Sequence, residues 1–403
     1  MKYYIIAGEA SGDQYGALLM RALRERDPHA QFRFWGGDAM AAEGGTPVRH
    51  IRDLAIMGFV EVVAHLRTVL GNLKFCKQDI VDFSPHIVIG IDYPGFNLKI
   101  ERWAHGCGLR TAHYISPNLW AWKKGRIRSM RESLLTLCYI LPFEKRFFAE
   151  NNMPQAVYVG HPLLDVVADY TSRRAINADP STAFQSHFNH ISTINMKEMR
   201  ENDGQRAVEG SAEARPVVAL LPGSRRQELK QSLPLMVQLA RRHREYRFVV
   251  AGMSLMGKEM YDKLIPADSG IEVVYDQTYA LLAEARSAVV CSGTATLETA
   301  LFGVPQVVCY RCSPVSYAIA RAVVSRRIKY ISLVNLIADQ PVVTELIQGD
   351  FNIRRLEREF AAITEDDGNR SRMLEGYATV RRLLGDGGAT GRVADNILQQ
   401  IKL

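Results

Sequence analysis

Short apolar runs alternate with longer amphipathic segments along most of the chain. The runs in the first half are Tyr3 to Ala7, Gln31 to Trp35, Ile87 to Ile91, Thr111 to Ile115, Leu135 to Ile140 and Ala156 to Val159. Those in the second half are Val217 to Leu221, Arg247 to Ala251, Ile271 to Val274, Ala288 to Cys291 and Gln306 to Cys309. Such alternation predicts parallel β-strands joined by helical crossovers. The pattern therefore predicts an α/β fold with one parallel sheet in each half of the chain.

Each half begins with a strand that runs into a glycine turn and then into a helical segment. The first turn is Gly8 to Asp13, and the second is Pro222 to Arg225. Glycines permit a tight turn and leave backbone N–H groups facing outward at a helix start. We interpret each unit as the start of a Rossmann-like domain with ligands at the carboxyl ends of its strands. Two such domains facing a central cleft suit an enzyme that holds a nucleotide-activated donor on one lobe and an acceptor on the other.

A length of 403 residues agrees with two domains. We expect the first at residues 1–170 and the second at residues 215–379. Residues 171–214 are polar and weakly periodic, and they predict a linker or insertion whose order the sequence leaves open. A helix at about residues 380–403 is expected to pack back on the first domain.

Charge and composition limit the kinds of partner that the protein is expected to bind. The net charge of +7 and the pI of about 9.0 favour nucleic acid, phosphate-bearing small molecules or an acidic membrane surface. Glu9 and Asp13 follow the first strand too closely for a secretory segment, and no run approaches ~20 apolar residues, so a cytoplasmic location is expected. Cys309 and Cys312 have the C-x-x-C spacing but lack a second pair, so neither a metal nor a cofactor is expected.

Two loops of the second half predict a nucleotide-diphosphate site. Ser292, Gly293 and Thr294 follow a buried strand and open a helix, where free N–H groups and the helix dipole favour negative charge. Glu298 follows about one turn later, within reach of ribose hydroxyls. The other loop contributes Gly223, Ser224 and Arg225, whose guanidinium can neutralise a leaving diphosphate. The alternatives are an ordinary helix cap and a solvated arginine.

Three carboxylates of the first half are candidate general bases. Asp92 immediately follows the strand that ends at Ile91, and partial desolvation there improves a carboxylate as a base for a hydroxyl. Glu9 and Asp13 in the first glycine loop are its rivals. For Asp92 the alternative is a turn cap ahead of Pro94.

An aromatic and basic cluster in the first half suits a phosphorylated, partly apolar ligand or a membrane interface. Its members are His113, Trp120, Trp122, Lys123, Lys124 and Arg126. An apolar stripe between Ile51 and Lys77 includes Met57, Phe59 and Val60. The stripe is typical of a core face, and its basic flank leaves a lipid-facing surface as the alternative. Single-stranded nucleic acid is a further alternative for the aromatic cluster.

Eight motifs, which together span most of the chain, resemble those of the lipid-A-disaccharide synthases, inverting glycosyltransferases of the GT-B fold. They are Gly8 to Asp13, Ile56 to Val62, Gly90 to Asn97, His113 to Pro117 with Trp120 to Trp122, Leu141 to Glu144, Tyr158 to Pro162, Leu220 to Arg225 and Ser292 to Glu298. The resemblance implies transfer of 2,3-diacylglucosamine from UDP to the 6-hydroxyl of 2,3-diacylglucosamine 1-phosphate. It implies peripheral contact with the cytoplasmic face of the inner membrane. Ser11 and Gly12 would then join the acceptor or membrane surface.

Three places depart from the family pattern. Gly95 stands where some members carry a second acidic residue, which concentrates the base on Asp92. The segment from Thr171 to Arg215 is longer than usual, and Asn335 lacks the expected preceding proline. The alternatives are another GT-B enzyme, such as a UDP-N-acetylglucosamine 2-epimerase, and a basic RNA-binding protein, for which no motif is found. The sequence does not distinguish a monomer from a homodimer.

Overall fold

The computed structural model describes residues 1–54, 66–119, 125–178, 215–313, 317 and 329–402. These residues form two compact units. The first contains Met1–Leu164 and Arg381–Leu403, and the second contains Asp165–Ser313 and Tyr330–Val380. Of the segment expected to be a linker, residues 179–214 lie outside the described part of the chain.

The first unit contains a parallel sheet of seven strands in the order β3-β2-β1-β4-β5-β6-β7. The strands are β1 (Lys2–Ala7), β2 (Gln31–Gly36), β3 (Thr46–His50), β4 (Ile87–Ile91), β5 (Arg110–Tyr114), β6 (Thr136–Tyr139) and β7 (Ala156–Tyr158). Almost every residue of β1 and β4 is buried, because both faces of these strands are covered. This explains why their sequences are continuously apolar rather than alternating. The order reverses between β1 and β4, so the loops after these strands meet where α/β sheets bind ligands.

The helices of the first unit cover its sheet. They are α1 (Ala10–Arg26), α2 (Asp38–Ala42), α3 (Ile51–Leu54), α4 (Leu66–Phe83), α5 (Pro94–Gly106), α6 (Arg126–Ser133), α7 (Glu144–Glu150) and the start of α8 (Leu163–Ala178). Between the sheet and helices α4 and α5, Tyr4, Trp35, Val88 and Ile100 pack in one apolar core. This packing fixes the carboxyl ends of β1 and β4.

The second unit contains a parallel sheet of six strands in the order β10-β9-β8-β11-β12-β13. The strands are β8 (Val217–Leu221), β9 (Arg247–Gly252), β10 (Glu272–Tyr275), β11 (Ser287–Cys291), β12 (Gln306–Tyr310) and β13 (Thr344–Ile347). Its order reverses between β8 and β11. Two parallel α/β sheets, as the sequence predicts, are therefore confirmed.

The α-helices of the second unit lie between and after these strands. They are α9 (Arg226–Arg242), α10 (Lys258–Asp262), α11 (Thr278–Glu284), α12 (Thr294–Leu301), α13 (Leu333–Ala338), α14 (Ile353–Thr364) and α15 (Asp367–Leu384). The core contains Leu221, Val249, Val290 and Leu282. The boundary between the two units falls within α15.

The last helix, α16 (Ala389–Lys402), packs on the first unit. Arg392 donates to the carbonyl of Val159, and Thr136 of β6 donates to Asn396. Arg26 of α1 pairs with Asp395 over 2.5 Å. The chain therefore returns to the first sheet after completing the second.

Candidate active site

The turn after β1 is fitted closely to the loop after β4. A Cβ atom at position 8 would overlap the ring of Tyr93, so only glycine leaves room for that ring. Burial and then the charge of Glu9 raise the pKa of Tyr93, which indicates that the Glu9 carboxylate lies near this ring. Ser11 and Gly12 lie in the first turn of α1, with Gly12 buried against Ala7. These contacts bring together the two loops that the sequence predicts to hold the acceptor.

Asp13, in the first turn of α1, has a structural function. Its carboxylate accepts hydrogen bonds from the N–H groups of Gly37, Ala39 and Met40 over 2.6, 3.0 and 3.0 Å. These groups stand at the start of α2, where N–H groups have no partner within the helix. Both oxygen atoms of Asp13 are thus engaged in capping α2. Among the three candidate bases, this geometry favours Asp92 and Glu9 over Asp13.

Asp92 lies at the carboxyl end of β4 in an unusual backbone conformation. Asp92 and Tyr93 have φ angles of 46° and 48°, which is the left-handed region. Asn97 stabilises the turn, because its side-chain amide donates to the carbonyls of Ile6, Ile91 and Asp92. The half-buried Asp92 carboxylate is therefore carried on a strained and tightly tethered loop, which is typical of functional sites. Asn97 closes the motif from Gly90 to Asn97, but the sequence pattern does not predict its function in the turn.

His113 differs from its expected place in an exposed aromatic and basic cluster. It has no exposed surface, and its Nδ1 lies 2.7 Å from Oε1 of the equally buried Glu101. This pair was not predictable from the sequence pattern, because Glu101 lies twelve residues earlier, in α5. His113 is therefore a buried residue of β5 and not part of an exposed ligand surface.

Most of the expected membrane and acceptor cluster is not described. Met57, Phe59, Val60, Trp120, Trp122, Lys123 and Lys124 all lie outside the described residues. Arg126 begins α6, and partial burial lowers the pKa of its guanidinium. Within the described residues, no helix combines the length and the apolar character needed to cross a membrane.

A second buried acid lies near the carboxyl ends of β5 and β6. Burial raises the pKa of Glu144 to about 8, while hydrogen bonds from the Leu141 N–H and from Ser116 oppose this rise. His161, after β7, is also fully buried, and this lowers its pKa to about 3. Glu144 is thus protonated at neutral pH, and His161 is neutral. Both residues belong to motifs of the family resemblance, Leu141 to Glu144 and Tyr158 to Pro162, for which no function was predicted.

In the second unit, the loop after β8 folds around a glutamate. Gly223 has a φ angle of 109°, and a Cβ there would press against Glu228. The Glu228 carboxylate accepts from the N–H groups of Ser224 and Arg225 over 3.0 and 3.2 Å. The Arg225 side chain is half exposed, with Nη1 3.5 Å from Oε1 of Glu228. This arrangement holds the loop in shape, and about half of the Arg225 side chain stays exposed.

The loop after β11 lies beside this arginine. Ser292 donates its hydroxyl hydrogen to the carbonyl of Ile331 over 3.1 Å. Gly293 precedes α12 in an extended conformation and, being a glycine, offers no side chain of its own to cap the helix. Burial raises the pKa of the Cys291 thiol to about 12, the charge of Glu228 raises it further, and the charge of Arg225 lowers it. Both charged residues of the β8 loop therefore lie near the end of β11. The two predicted diphosphate loops therefore meet at the switch point of this sheet.

Glu298 lies one turn into α12 and accepts a hydrogen bond from the Tyr279 hydroxyl over 3.1 Å. Burial raises its pKa, and the tyrosine bond offsets part of this rise. The Tyr279 ring stacks on Phe302 with centroids 5.5 Å apart. Thr294 begins α12, so Thr294 and Glu298 share one end of one helix. Tyr279 was not recognised from the sequence, because nothing in its segment indicates a partner in α12.

Two parallel α/β units, each with a switch point in its sheet, define the GT-B class of fold. A solved UDP-GlcNAc 2-epimerase of Methanocaldococcus jannaschii in complex with UDP-GlcNAc and UDP has a TM-score of 0.62, with 12% identity over 99% of each chain. The calicheamicin glycosyltransferase CalG4 has a TM-score of 0.55, with 14% identity over 99% of this chain and 98% of its own. At such identities these likenesses show the fold alone.

Comparison of sequences is more specific. The family model described as lipid-A-disaccharide synthetase matches residues 3–181 and 190–384. The curated lipid-A-disaccharide synthase of Syntrophus aciditrophicus is 36% identical over 99% of this chain and 97% of its own. That of Pseudomonas syringae pv. tomato is 33% identical over 100% of this chain and 98% of its own. The chain belongs to the lipid-A-disaccharide synthetase family, and the resemblance seen in its motifs is confirmed.

Proposed function

We propose that this enzyme transfers 2,3-diacylglucosamine from its UDP carrier to the 6-hydroxyl of 2,3-diacylglucosamine 1-phosphate, forming a β-1,6 disaccharide and UDP. Membership of the family supports this reaction. The structural observation that carries it is the meeting of the Arg225 loop with the glycine-led start of α12 at one switch point. No specific observation favours an epimerase or an RNA-binding protein.

The donor end of the reaction needs groups that stabilise negative charge. The N–H groups at the start of α12 and the guanidinium of Arg225 suit the diphosphate, whose charge increases as UDP departs. The carboxylate of Glu298 suits hydrogen bonds with ribose hydroxyls. Ser292 acts through its bond to Ile331, which fixes the loop that leads into α12.

The acceptor end needs a base. In our mechanism, Asp92 takes the proton of the 6-hydroxyl as the new C1–O bond forms on the face opposite the diphosphate. The bond between C1 and the diphosphate oxygen breaks at the same time, and UDP leaves with its electron pair. This sequence inverts the configuration at C1.

Acylated substrates need a membrane, and helix α4 has a suitable outer face. Arg67, Leu70, Lys74, Lys77 and Val81 follow one another at steps of three and four residues, so they share one face. Leu70 and Val81 are 54% and 53% exposed. An apolar and basic face of this kind suits peripheral binding to anionic lipid on the cytoplasmic side of the inner membrane.

The reaction is tested by release of UDP from UDP-2,3-diacylglucosamine in detergent micelles with a metal chelator present. We expect release only when the monosaccharide 1-phosphate is added. Release that ignores the acceptor, or no release at all, would overturn the proposal.

The donor site is tested by Arg225→Ala with Arg226→Ala as its control. Arg226 is also exposed but begins α9, next to the loop. We expect Arg225→Ala to lower kcat by about 100-fold and Arg226→Ala to leave kcat within about twofold. Equal losses of kcat in the two variants would show that Arg225 contributes only to the general positive charge of the loop, and would contradict a specific contact with the diphosphate.

Membrane binding is tested by sedimentation with anionic and zwitterionic vesicles. Leu70→Ser/Val81→Ser should weaken binding to anionic vesicles by at least tenfold. Val157→Ser, on the exposed position of β7, is the control and should bind as the parent does. Unchanged binding by the double variant would exclude this face of α4.

A further inference from the structure

Glu345 of β13 reaches from one end of the second sheet to the loop that precedes α13. Its carboxylate accepts hydrogen bonds from the N–H groups of Ile331 and Ser332 over 3.0 and 2.9 Å. The hydroxyl of Ser332 and the side-chain amide of Asn335 also donate to it, over 2.7 and 2.9 Å. These donors converge on a carboxylate that the reaction described above does not use.

The bonds of Glu345 fix the loop itself, because α13 has a cap of its own. The Ser332 hydroxyl accepts from the Asn335 N–H over 3.3 Å, as the side chain of an N-cap residue does. In a capping box, a glutamate three residues after the cap would hold the N–H of the cap residue. Asn335 stands at that position, and its amide is paired in both directions with the backbone of Val343 over 2.9 Å. Glu345 supplies the carboxylate from β13 instead, and it also holds the N–H of Ile331, which lies before the helix.

A single peptide group connects Glu345 to Ser292. The carbonyl of Ile331 and the N–H of Ser332 belong to the same peptide group, which is planar and trans, so they point in opposite directions. The N–H donates to Glu345 over 2.9 Å, and the carbonyl accepts the hydroxyl hydrogen of Ser292 over 3.1 Å. The peptide is therefore held from both sides, and Glu345 determines where Ser292 finds its acceptor.

Ser292 belongs to the loop that leads from β11 into α12. Its N–H donates to the carbonyl of Cys309 over 2.9 Å, so its backbone is tied to β12. Its side chain is tied to the Ile331 carbonyl, and helices α12 and α13 pack against each other. A change in the position of the Ile331 peptide would therefore be transmitted to the loop that precedes α12.

We propose that Glu345 is a positioning residue, which fixes the peptide between Ile331 and Ser332 and, through the hydroxyl of Ser292, the loop that presents the start of α12 to the donor diphosphate. The inference rests on the proposed function, in which the N–H groups at this helix start bind the diphosphate. Glu345 exchanges no proton and touches no substrate in this function. Its loss should therefore weaken the binding of UDP and leave the binding of the acceptor unchanged.

The first test is Glu345→Gln, because an amide has only one accepting oxygen and turns its own N–H groups toward the loop. Titration calorimetry should show UDP binding weakened by about tenfold. The KM for UDP-2,3-diacylglucosamine should rise, while the KM for the acceptor stays within about twofold of the parent value. A variant that binds UDP as the parent does would overturn the inference.

Two control variants separate positioning from stability. Glu359→Gln makes the same chemical change at a carboxylate that accepts from Thr344, the neighbour of Glu345 in β13, and it should bind UDP as the parent does. Ser332→Ala removes the cap of α13 but keeps both backbone N–H groups that bind Glu345. It should lower the stability to urea and change UDP binding by less than about twofold. Equal weakening of UDP binding in Ser332→Ala and Glu345→Gln would indicate a general loss of stability and overturn the inference.

A double variant tests the path through Ser292. Ser292→Ala removes the hydrogen bond on the other side of the Ile331 peptide. If Glu345 acts through this bond, the double variant Glu345→Gln/Ser292→Ala should weaken UDP binding no more than the stronger of the two single changes does. Single effects that multiply in the double variant would show that the two residues act independently, against the proposed path.

Hydrogen exchange in the parent protein, followed by NMR, gives a readout that needs no variant. The amides of Ile331 and Ser332 should exchange more slowly when UDP is bound, because coupling between two sites is reciprocal. The N–H of Asn369 donates to the Asp366 carboxylate over 3.0 Å, and its exchange should not respond to UDP. Unchanged exchange at Ile331 and Ser332 in a parent that binds UDP would overturn the inference and leave the proposed function intact. A parent that fails to bind UDP would overturn the proposed function and this inference with it.

Discussion

The hydroxyl of Tyr279 donates to the carboxylate of Glu298 over 3.1 Å, and so connects α11 to α12. Tyr170 and Phe302 pack against the same tyrosine ring. The orientation of Glu298 is therefore set by a residue that lies 19 positions earlier in the chain, outside the motif from Ser292 to Glu298. A carboxylate that binds a ribose must present its oxygens in one direction, and this bond supplies that constraint.

Tyr279→Phe should weaken the binding of UDP by about tenfold, because removal of one hydrogen bond to a charged group costs about 1.5 kcal/mol. The measurement is titration calorimetry with UDP. Tyr170→Phe is the matched control, since its ring belongs to the same aromatic cluster. Equal weakening in both variants would indicate a packing effect and contradict the orienting function of Tyr279.

Gly8 and Gly95 offer a steric test of the loop that carries Asp92. Gly8→Ala forces a Cβ into the ring of Tyr93, whereas nothing described lies within 4 Å of a Cβ at Gly95. We expect Gly8→Ala to lower kcat at least tenfold and to lower the free energy of unfolding by about 1–3 kcal/mol. Gly95→Ala should change neither quantity measurably.

The double variant Gly8→Ala/Tyr93→Gly completes this test. It removes the ring that the new methyl group meets and places glycine at a φ angle of 48°. Stability measured by urea unfolding should recover toward the parent value. A double variant less stable than Gly8→Ala alone would show that the overlap with Tyr93 is not the cause.

Asp13→Asn should act on stability rather than on the base. The carboxylate receives three backbone N–H groups from the Gly37–Met40 turn, and an amide offers only one accepting oxygen. We expect the free energy of unfolding to fall by about 1–3 kcal/mol. In the folded fraction, the acid limb of the pH profile of kcat/KM for acceptor-dependent UDP release should stay where the parent has it. Asp38→Asn, on an exposed neighbour, is the control. An acid limb that moves in Asp13→Asn would instead favour Asp13 as the base.

The strands that the sequence predicts are those with buried apolar runs. Neither β3 nor β13 was predicted, because the half-exposed Thr46–His50 and the mixed Thr344–Ile347 lack such a run. The loops at the strand ends were also predictable, since glycines and hydroxyl side chains after a strand mark a turn into a helix start. The hydrogen-bond partners of the loop side chains were not predictable from the sequence. Asp13 and Asp92 differ only through residues distant in sequence, such as Gly37, and His113 is buried because Gly90 leaves space for Glu101.

His161 gives a prediction for the acid side of the stability curve. Burial lowers its pKa from 6.5 to about 3, so the unfolded chain binds the proton more readily than the folded chain does. The free energy of unfolding should therefore decrease as the pH falls from about 6.5 toward 3. His161→Asn keeps an acceptor for the Leu163 N–H and removes the titration. Urea unfolding at pH 7 and pH 5 should show a smaller loss in the variant; equal losses would contradict a buried neutral His161.

Glu144 gives the opposite dependence at higher pH. Burial raises its pKa from 4.5 to about 8, so the folded chain holds the proton more tightly than the unfolded chain. Its contribution to stability is complete below about pH 4.5 and is lost as the pH rises toward 8. Glu144→Gln mimics the protonated form and should be more stable than the parent at pH 9 but not at pH 4.5. Glu150→Gln, at the exposed end of the same helix, is the control and should follow the parent at both pH values, apart from its weak pair with Arg146. Urea unfolding measures all three proteins, and a parent that is no less stable at pH 9 than Glu144→Gln would show that Glu144 is already ionised in the folded state.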